Sequence, residues 1–302
     1  MNIYWISILP VLASYYWILN KTSINLLYLV FIIIPLLEIL IPLPIRFLDA
    51  RKKTNTDDIL LHLWYPLEIG MFLLFVLTRQ FSLHDVMCMS LMMGLGINVA
   101  HELIHKPQDY HRWTGRRLLE FTGYGFWETQ HLFHHHKNVG LPNDPATAPK
   151  GMSVYEFVPR CIAGTVKQAY LHDSNSFLKS LHKTFIINFA ILLFLGKQAA
   201  LFHLKSCIVS IIFLEMINYL EHYGLVRKPD EKVYESHSWD APYYWSSILL
   251  FKLTFHSDHH LNAWKSYPEL KIRDYSPKMP FSYPAMILLS LVPPLFFRSM
   301  KV

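Results

Sequence analysis

Long apolar stretches separated by short polar ones fill the first third of the chain, and a second such region covers 184–222. Continuous apolar runs of this length mark helices that are apolar all round. Membrane spans read this way, needing roughly 17–25 residues at 1.5 Å rise. Six spans are predicted, near 3–19, 24–45, 59–78, 86–106, 184–202 and 204–222. Pro10, Pro35 and Pro42 fall in the first two, where a membrane bundle tolerates a kink or an early end. The last apolar piece, 281–298, carries Pro284, Pro293 and Pro294. Adjacent prolines near its end predict an interfacial helix in place of a seventh span. With no internal repeat or Gly/Ser linker, 1–302 reads as one domain, its catalytic parts being 107–183 and 223–302.

Composition agrees with this pattern. Of 302 residues, 52% are hydrophobic and only 17% charged, which predicts an all-α integral membrane protein. The net charge of +6 sits in loops between apolar runs, without the basic-aromatic interleaving of a nucleic-acid binder, so no nucleic-acid partner is expected. Loop 46–58 holds Arg46, Arg51, Lys52 and Lys53, whereas the loops opposite offer Lys21, Arg79 and Lys197. The positive-inside rule then puts 46–58, both termini and both catalytic parts in the cytoplasm, at the inner membrane if the source is bacterial. Cys88, Cys161 and Cys207 have no CxxC spacing, which argues against a disulfide framework, an iron–sulfur site or a fused rubredoxin. The N-terminus has no basic n-region or clear cleavage site, so its apolar start is expected to stay as a span.

Nine histidines then change the picture. They fall in four groups: His101 and His105; His131, His135 and His136; His222; and His256, His259 and His260. All four lie on the same predicted face. Imidazole suits Fe, Zn, Cu and Ni, and nine ligands exceed the four of one tetrahedral zinc, which points to two metals. His101 and His105 are four apart and share a helix face. They also fit His-Glu-x-x-His, which alone would read as an intramembrane zinc protease with Glu102 as base, but that leaves the other groups unexplained. His131 and His135 are again four apart, and adjacent His135 and His136 point about 100° apart, which serves two metals better than one. The plain alternative for that group is an interfacial basic patch. His134 reads as solvent-facing or as a neighbour that supports the ligands, and not as a ligand itself. Asp258 sits among the last three, either to orient a ring or to form a cap or salt bridge. His222 alone would be structural and gains weight from its company. His62, His84, His111, His134, His172, His182, His203 and His237 are read as non-ligands.

The text around these groups resembles the membrane-bound alkane 1-monooxygenases of the fatty acid desaturase/hydroxylase superfamily. It reads His101-Glu-Leu-Ile-His-Lys106, His135-His-Lys-Asn-Val-Gly-Leu-Pro-Asn-Asp-Pro-Ala-Thr147, Asn218-Tyr-Leu-Glu-His-Tyr-Gly-Leu225, His237-Ser-Trp239 and His256-Ser-Asp-His-His260. The resemblance covers roughly 90–300. It implies a six-span helical bundle with a cytoplasmic, histidine-rich cap holding a non-haem di-iron site (two Fe ions) on the nine histidines. It also implies O2 activation with two electrons from a rubredoxin- or ferredoxin-type donor and its reductase, an apolar substrate from the bilayer, and a terminal alcohol as product. The second box departs from the family's Glu-His-Asn-x-Gly-His-His, reading Gln130-His-Leu-Phe-His-His-His136. Asp144, Glu221 and Asp258 are candidates for supporting the ligands. Alternatives are a fatty acyl desaturase or hydroxylase, a xylene-type monooxygenase, and a non-catalytic metal-handling protein. With no dinucleotide or flavin motif, a separate donor is required, and Lys106, Arg112, Arg116, Arg117 and Lys137 either form its positive docking ring or only meet lipid phosphates.

Overall fold

Gly196, at φ +89°, breaks the apolar run 184–222 into two helices, and the break falls earlier than the sequence pattern predicts. The structure is a computed structural model that describes residues 2–20, 25–78 and 81–300. Lys21 and Arg79 lie outside the described residues. The helices are α1 (Ile3–Asn20), α2 (Leu26–Leu40), α3 (Asn55–Leu77), α4 (Leu83–Ile104), α5 (Asp109–Phe121) and α6 (127–138). They continue with α7 (Val154–His172), α8 (Ser174–Leu195), α9 (Lys197–His222), α10 (Tyr244–Leu249), α11 (His256–Leu261), α12 (Tyr283–Ser290) and α13 (Pro293–Ser299). No strand occurs among the described residues, only an isolated parallel bridge between Asp240 and Lys278.

Among the described residues, five helices are long and apolar enough to cross a membrane: α1, α3, α4, α8 and α9. The observed helices differ from the expected segments at two places. The segment expected over 24–45 is the shorter α2, whose middle, Leu29–Ile33, is a π-helical turn directly before Pro35. Proline supplies no N–H and clashes with the preceding turn, so the ladder loosens ahead of it. The segment expected over 184–202 is α8, which starts ten residues earlier because the Asp173 side chain caps it, accepting from Ser176 N at 2.9 Å. It stops at Gly196, where the left-handed backbone favours glycine. Residues 174–183, expected in a cytoplasmic loop, are therefore helical. The tail 281–298 forms two short helices, α12 and α13, each opened by proline.

Local signals fix the other ends. Thr54 with Asp57 and Ser82 with Asp85 form capping boxes at the starts of α3 and α4. Contacts divide the chain into two units. The first comprises 1–32, 54–128 and 173–214, and the second 33–53, 129–172 and 215–302. In the first unit α4 is the centre, buried over most of its length, with α3 and α5 packed on it, α1 on α3 and α8 on α5. The second unit is tied by polar contacts between distant segments. Glu38 accepts from Ser246 N at 2.8 Å, Arg51 N donates to Pro268 O at 2.9 Å, and the Tyr155 hydroxyl donates to Leu291 O at 2.8 Å. Such bonds matter because a buried backbone group left unpaired costs more than a formed bond contributes.

Candidate metal centre

Seven of the nine grouped histidines belong to the second unit, and three local structures aim them. In α6, His131–His135 is a π-helical turn in which His136 N bonds back to His131 O. This one-residue widening pairs His131 with His136, their Nε2 atoms 3.0 Å apart, in place of the i, i+4 pairing with His135 that an α-helix predicts. In α11, His256 and His260 share a face and their Nε2 atoms are 3.0 Å apart, while His259 turns away. At the end of α9, His222 Nε2 lies 3.1 Å from His256 Nε2.

Two nitrogen clusters result. His135, His222, His256 and His260 form one, with all ligand nitrogens within 4.8 Å of one another. His131, His136 and His259 lie together in the same way, His259 Nε2 being 3.2 Å from His136 Nε2. In the first unit His101 and His105 stack edge to face, ring centroids 4.9 Å apart, at the end of α4. Nitrogens bound at about 2.1 Å to one metal sit about 3.0–3.4 Å apart around a tetrahedral or octahedral shell. The Nε2 separations of 3.0–3.2 Å match that spacing. His135 Nε2 and His260 Nδ1 are buried without a hydrogen-bond partner among the described residues. The donor set thus fits imidazole-bound transition metal, iron included.

Burial first, then neighbouring imidazoles, holds His136 and His260 well below the usual histidine range, so both rings are neutral near pH 7. Their supports are specific. His135 Nδ1 lies 2.9 Å from Asp144 Oδ2, and Thr147 Oγ1 donates to the same oxygen at 2.7 Å. Burial works against the Asp144 carboxylate, but His135 and Thr147 outweigh it and keep it ionised below its ordinary value. His222 Nδ1 faces His237 O at 3.3 Å, so the neighbouring His237-Ser-Trp239 segment supplies a carbonyl and no ligand. Glu221 Oε2 is 3.3 Å from His256 Nε2, and its other oxygen accepts from the Tyr283 hydroxyl at 3.0 Å.

Asp258 contributes differently from a ring-orienting carboxylate. It is ion-paired with Arg273 and, at 3.3 Å, Lys265, and accepts from Lys271 N at 3.0 Å. Sequence reasoning missed Asp240, which accepts from Ser257 N at 2.9 Å and Ser257 Oγ at 2.8 Å, fixing α11 from its start. It also missed buried Arg227, which donates to Val139 O and Lys137 O at 2.7 Å each and ties down the end of α6. The one available signal for Arg227 was its place five residues after His222 beside a glycine turn.

The expected docking ring is altered. Lys106 is buried and bonded to Glu102 at 3.0 Å and Asp58 at 3.6 Å. Arg116 pairs with Glu128 at 2.8 Å, Arg117 with Glu120 at 2.7 Å, and Arg112 with Asp109. Lys137 is exposed. Glu102, the base of the protease reading, is therefore engaged by a lysine. His134 belongs to neither cluster and is half-buried.

A family model described as "Fatty acid desaturase" matches residues 81–289. "Alkane 1-monooxygenase 2" of Alcanivorax borkumensis is 32% identical over 68% of this chain and 59% of its own length. "Alkane 1-monooxygenase 1" of the same organism is 30% identical over 85% of this chain and 70% of its own. The "Xylene/toluene monooxygenase hydroxylase component" of Pseudomonas putida is 26% identical over 86% and 77%. The matches thus span under two thirds of the length of some relatives, 59% and 60% in two alkane 1-monooxygenases.

Proposed function

Because the chain belongs to the fatty acid desaturase family and, within it, to the alkane monooxygenases, we propose that it is a non-haem di-iron membrane enzyme that hydroxylates an unactivated C–H bond, most simply the terminal methyl of an alkane. The observation that carries this reading is the pair of buried nitrogen clusters with ring spacings that suit metal. His135, His222, His256 and His260 hold one iron. His131, His136 and His259 hold the other, and His101 and His105 are proposed as further ligands from the family's first histidine box. With the whole chain working as one oxygenase domain, the catalytic face lies on the cytoplasmic side.

When bound, the iron pair supplies O2 activation with two electrons from a rubredoxin- or ferredoxin-type donor. The chain's own residues do the rest. Asp144 and the His237 carbonyl each engage one ring nitrogen of His135 and His222, which leaves the other nitrogen for metal. Asp240 and the Arg273–Asp258 pair hold α11 so that its three histidines keep their spread. Glu221 stands beside His256, where its carboxyl can keep a proton shared with the Tyr283 hydroxyl. Apolar helices exclude water and admit the substrate from the lipid.

A second reading, oxidation of a methyl group on an aromatic ring, is favoured by the similarity to the xylene/toluene hydroxylase component. Product analysis decides between them. Iron-loaded protein in lipid, with a reductase–rubredoxin pair and 18O2, is offered alkanes, fatty acids and xylenes. Two irons per chain and labelled 1-alkanol are expected. One stoichiometric zinc, or an alkene as sole product, would overturn the proposal.

A further inference from the structure

Glu68 lies near the middle of α3, a helix long and apolar enough to cross the membrane, and its side chain is fully buried. Neither of its carboxyl oxygens has a hydrogen-bond partner among the described residues. A carboxyl away from water is among the costliest groups to leave unsatisfied, and an ionisable residue inside a membrane bundle marks a site or a pathway by default. The neighbouring helix makes room for it. A Cβ built on Gly96 of α4 would fall 1.8 Å from Glu68 Oε2, so any other residue there would displace the carboxyl. Gly96 precedes His101 by five residues, about 7.5 Å along the same helix. The unsatisfied carboxyl therefore lies deeper than the histidine pair that ends α4.

Polar groups continue from it through the first unit. Phe72, one turn after Glu68 in α3, packs edge-on against His203 of α9, ring centroids 5.3 Å apart. Cys207 Sγ is 3.7 Å from His203 Nδ1, one turn earlier. His203 Nδ1 in turn lies 2.9 Å from Asn188 Oδ1 of α8. Almost all of the apolar stretch of α8 is unburied, with Phe185 and Phe189 exposed on either side of Asn188. The line runs from beneath His101 to the outward-facing helix.

We propose that Glu68 anchors an intramembrane site for the hydroxyl group of a membrane-soluble primary alcohol, and that Cys207, His203 and Asn188 continue it as the path by which that hydroxyl reaches the lipid. A hydroxyl both donates and accepts, which suits a carboxyl with two empty oxygens, and its alkyl tail suits the apolar walls. A metal cation fits poorly, because a hard ion needs several oxygens and the line offers one carboxyl. A hydrocarbon needs none of these groups. The proposal rests on the reading that alcohols arise at the histidine clusters.

The test reads binding and not turnover. Metal-loaded protein in nanodiscs is studied by infrared difference spectroscopy, the Glu68 carboxyl band being identified by its loss in Glu68→Gln. Adding 1-dodecanol should shift that band, and dodecane should leave it in place. Glu68→Met, which removes the unsatisfied group, should bind labelled 1-dodecanol about ten-fold more weakly and dodecane equally well. A band that answers to D2O but not to dodecanol would make this a water site and overturn the proposal, as would unchanged dodecanol binding in Glu68→Met. Because the assay needs neither O2 nor donor, dodecanol binding without oxygenation would refute the proposed function alone. Oxygenation without dodecanol binding would refute this site alone.

Discussion

Asp144 and His135 form a buried pair, with Oδ2 2.9 Å from Nδ1 and neither side chain exposed beyond 1%. The carboxylate fixes the ring's orientation and tautomer, so Nε2 is the nitrogen left to bind a metal. Carboxylate supports of this kind are worth about 10–100-fold in metal affinity. Asp144→Asn should therefore weaken iron binding by about that factor while leaving the fold intact. Chelator competition on the purified protein checks this. Unchanged iron retention would mean that Asp144 serves only the loop through Ala146 N and Thr147.

His222 and His134 should respond in opposite ways to truncation. His222 is fully buried, with Nε2 3.1 Å from His256 Nε2, whereas His134 lies outside both clusters. His222→Ala should lower iron occupancy and abolish turnover. His134→Ala should keep most of both. Metal analysis of the two variants side by side decides it, and equal losses would show that the second box has been assigned wrongly.

Much of this clustering was legible in the sequence, because its histidines recur at helical spacing on apolar segments. What could not be read was which ring joins which cluster. The split of His135 from His131 depends on a π-helical turn, which has no reliable residue signature, since one extra residue per turn alters pairing without altering composition. Asp258 looked like a ring support from its position between His256 and His259, yet its charge is taken by Arg273 and Lys265, residues 15 and 7 positions away. Asp240 and Arg227 act across loops, and pattern reading carries no information about such contacts. The helix break at Gly196 was visible as a glycine, but uninterrupted hydropathy across it outweighed one residue.

Lys252 should give the protein's stability a distinctive pH slope. It is fully buried, its ammonium group donating to Leu270 O at 2.8 Å and Pro268 O at 3.1 Å, and its backbone is left-handed at φ +55°. Burial, then the nearby Arg51 charge, lowers its pKa from 10.5 to about 7. The group is thus depressed on folding, and between those values the unfolded chain binds more protons than the folded one. Stability then rises with pH across that window and is lost as pH falls back through it, by ~1.4 kcal/mol per pH unit. Chemical unfolding in detergent between about pH 7 and about pH 10 should show this slope in the parent and a flatter one in Lys252→Met. Equal slopes would mean that the amine stays charged against its two carbonyls.

Electron-donor docking should depend on Lys137 more than on the cations nearest to it in the ring first read from the sequence. Arg112, Arg116 and Arg117 each hold an acidic partner, and Lys106 is buried between Glu102 and Asp58. A paired charge offers a carrier little net field, whereas exposed Lys137, next to His136, offers its full charge. Steering by a rim charge acts on the association rate and weakens with salt, since the Debye length falls from about 10 Å at 0.1 M to about 3 Å at 1 M. Lys137→Glu should therefore raise the carrier's apparent KM several-fold at low salt, with less effect at 1 M, and leave the substrate KM and iron content unchanged. Lys106→Met should behave otherwise. It strands the Glu102 and Asp58 carboxylates in a buried setting, so its cost should appear as lost stability and iron, with the carrier KM unaffected in the protein that survives. Steady-state kinetics with a rubredoxin titrated at two salt concentrations, alongside metal analysis of both variants, separates the two effects. A carrier KM indifferent to Lys137→Glu and to salt would place docking on other residues.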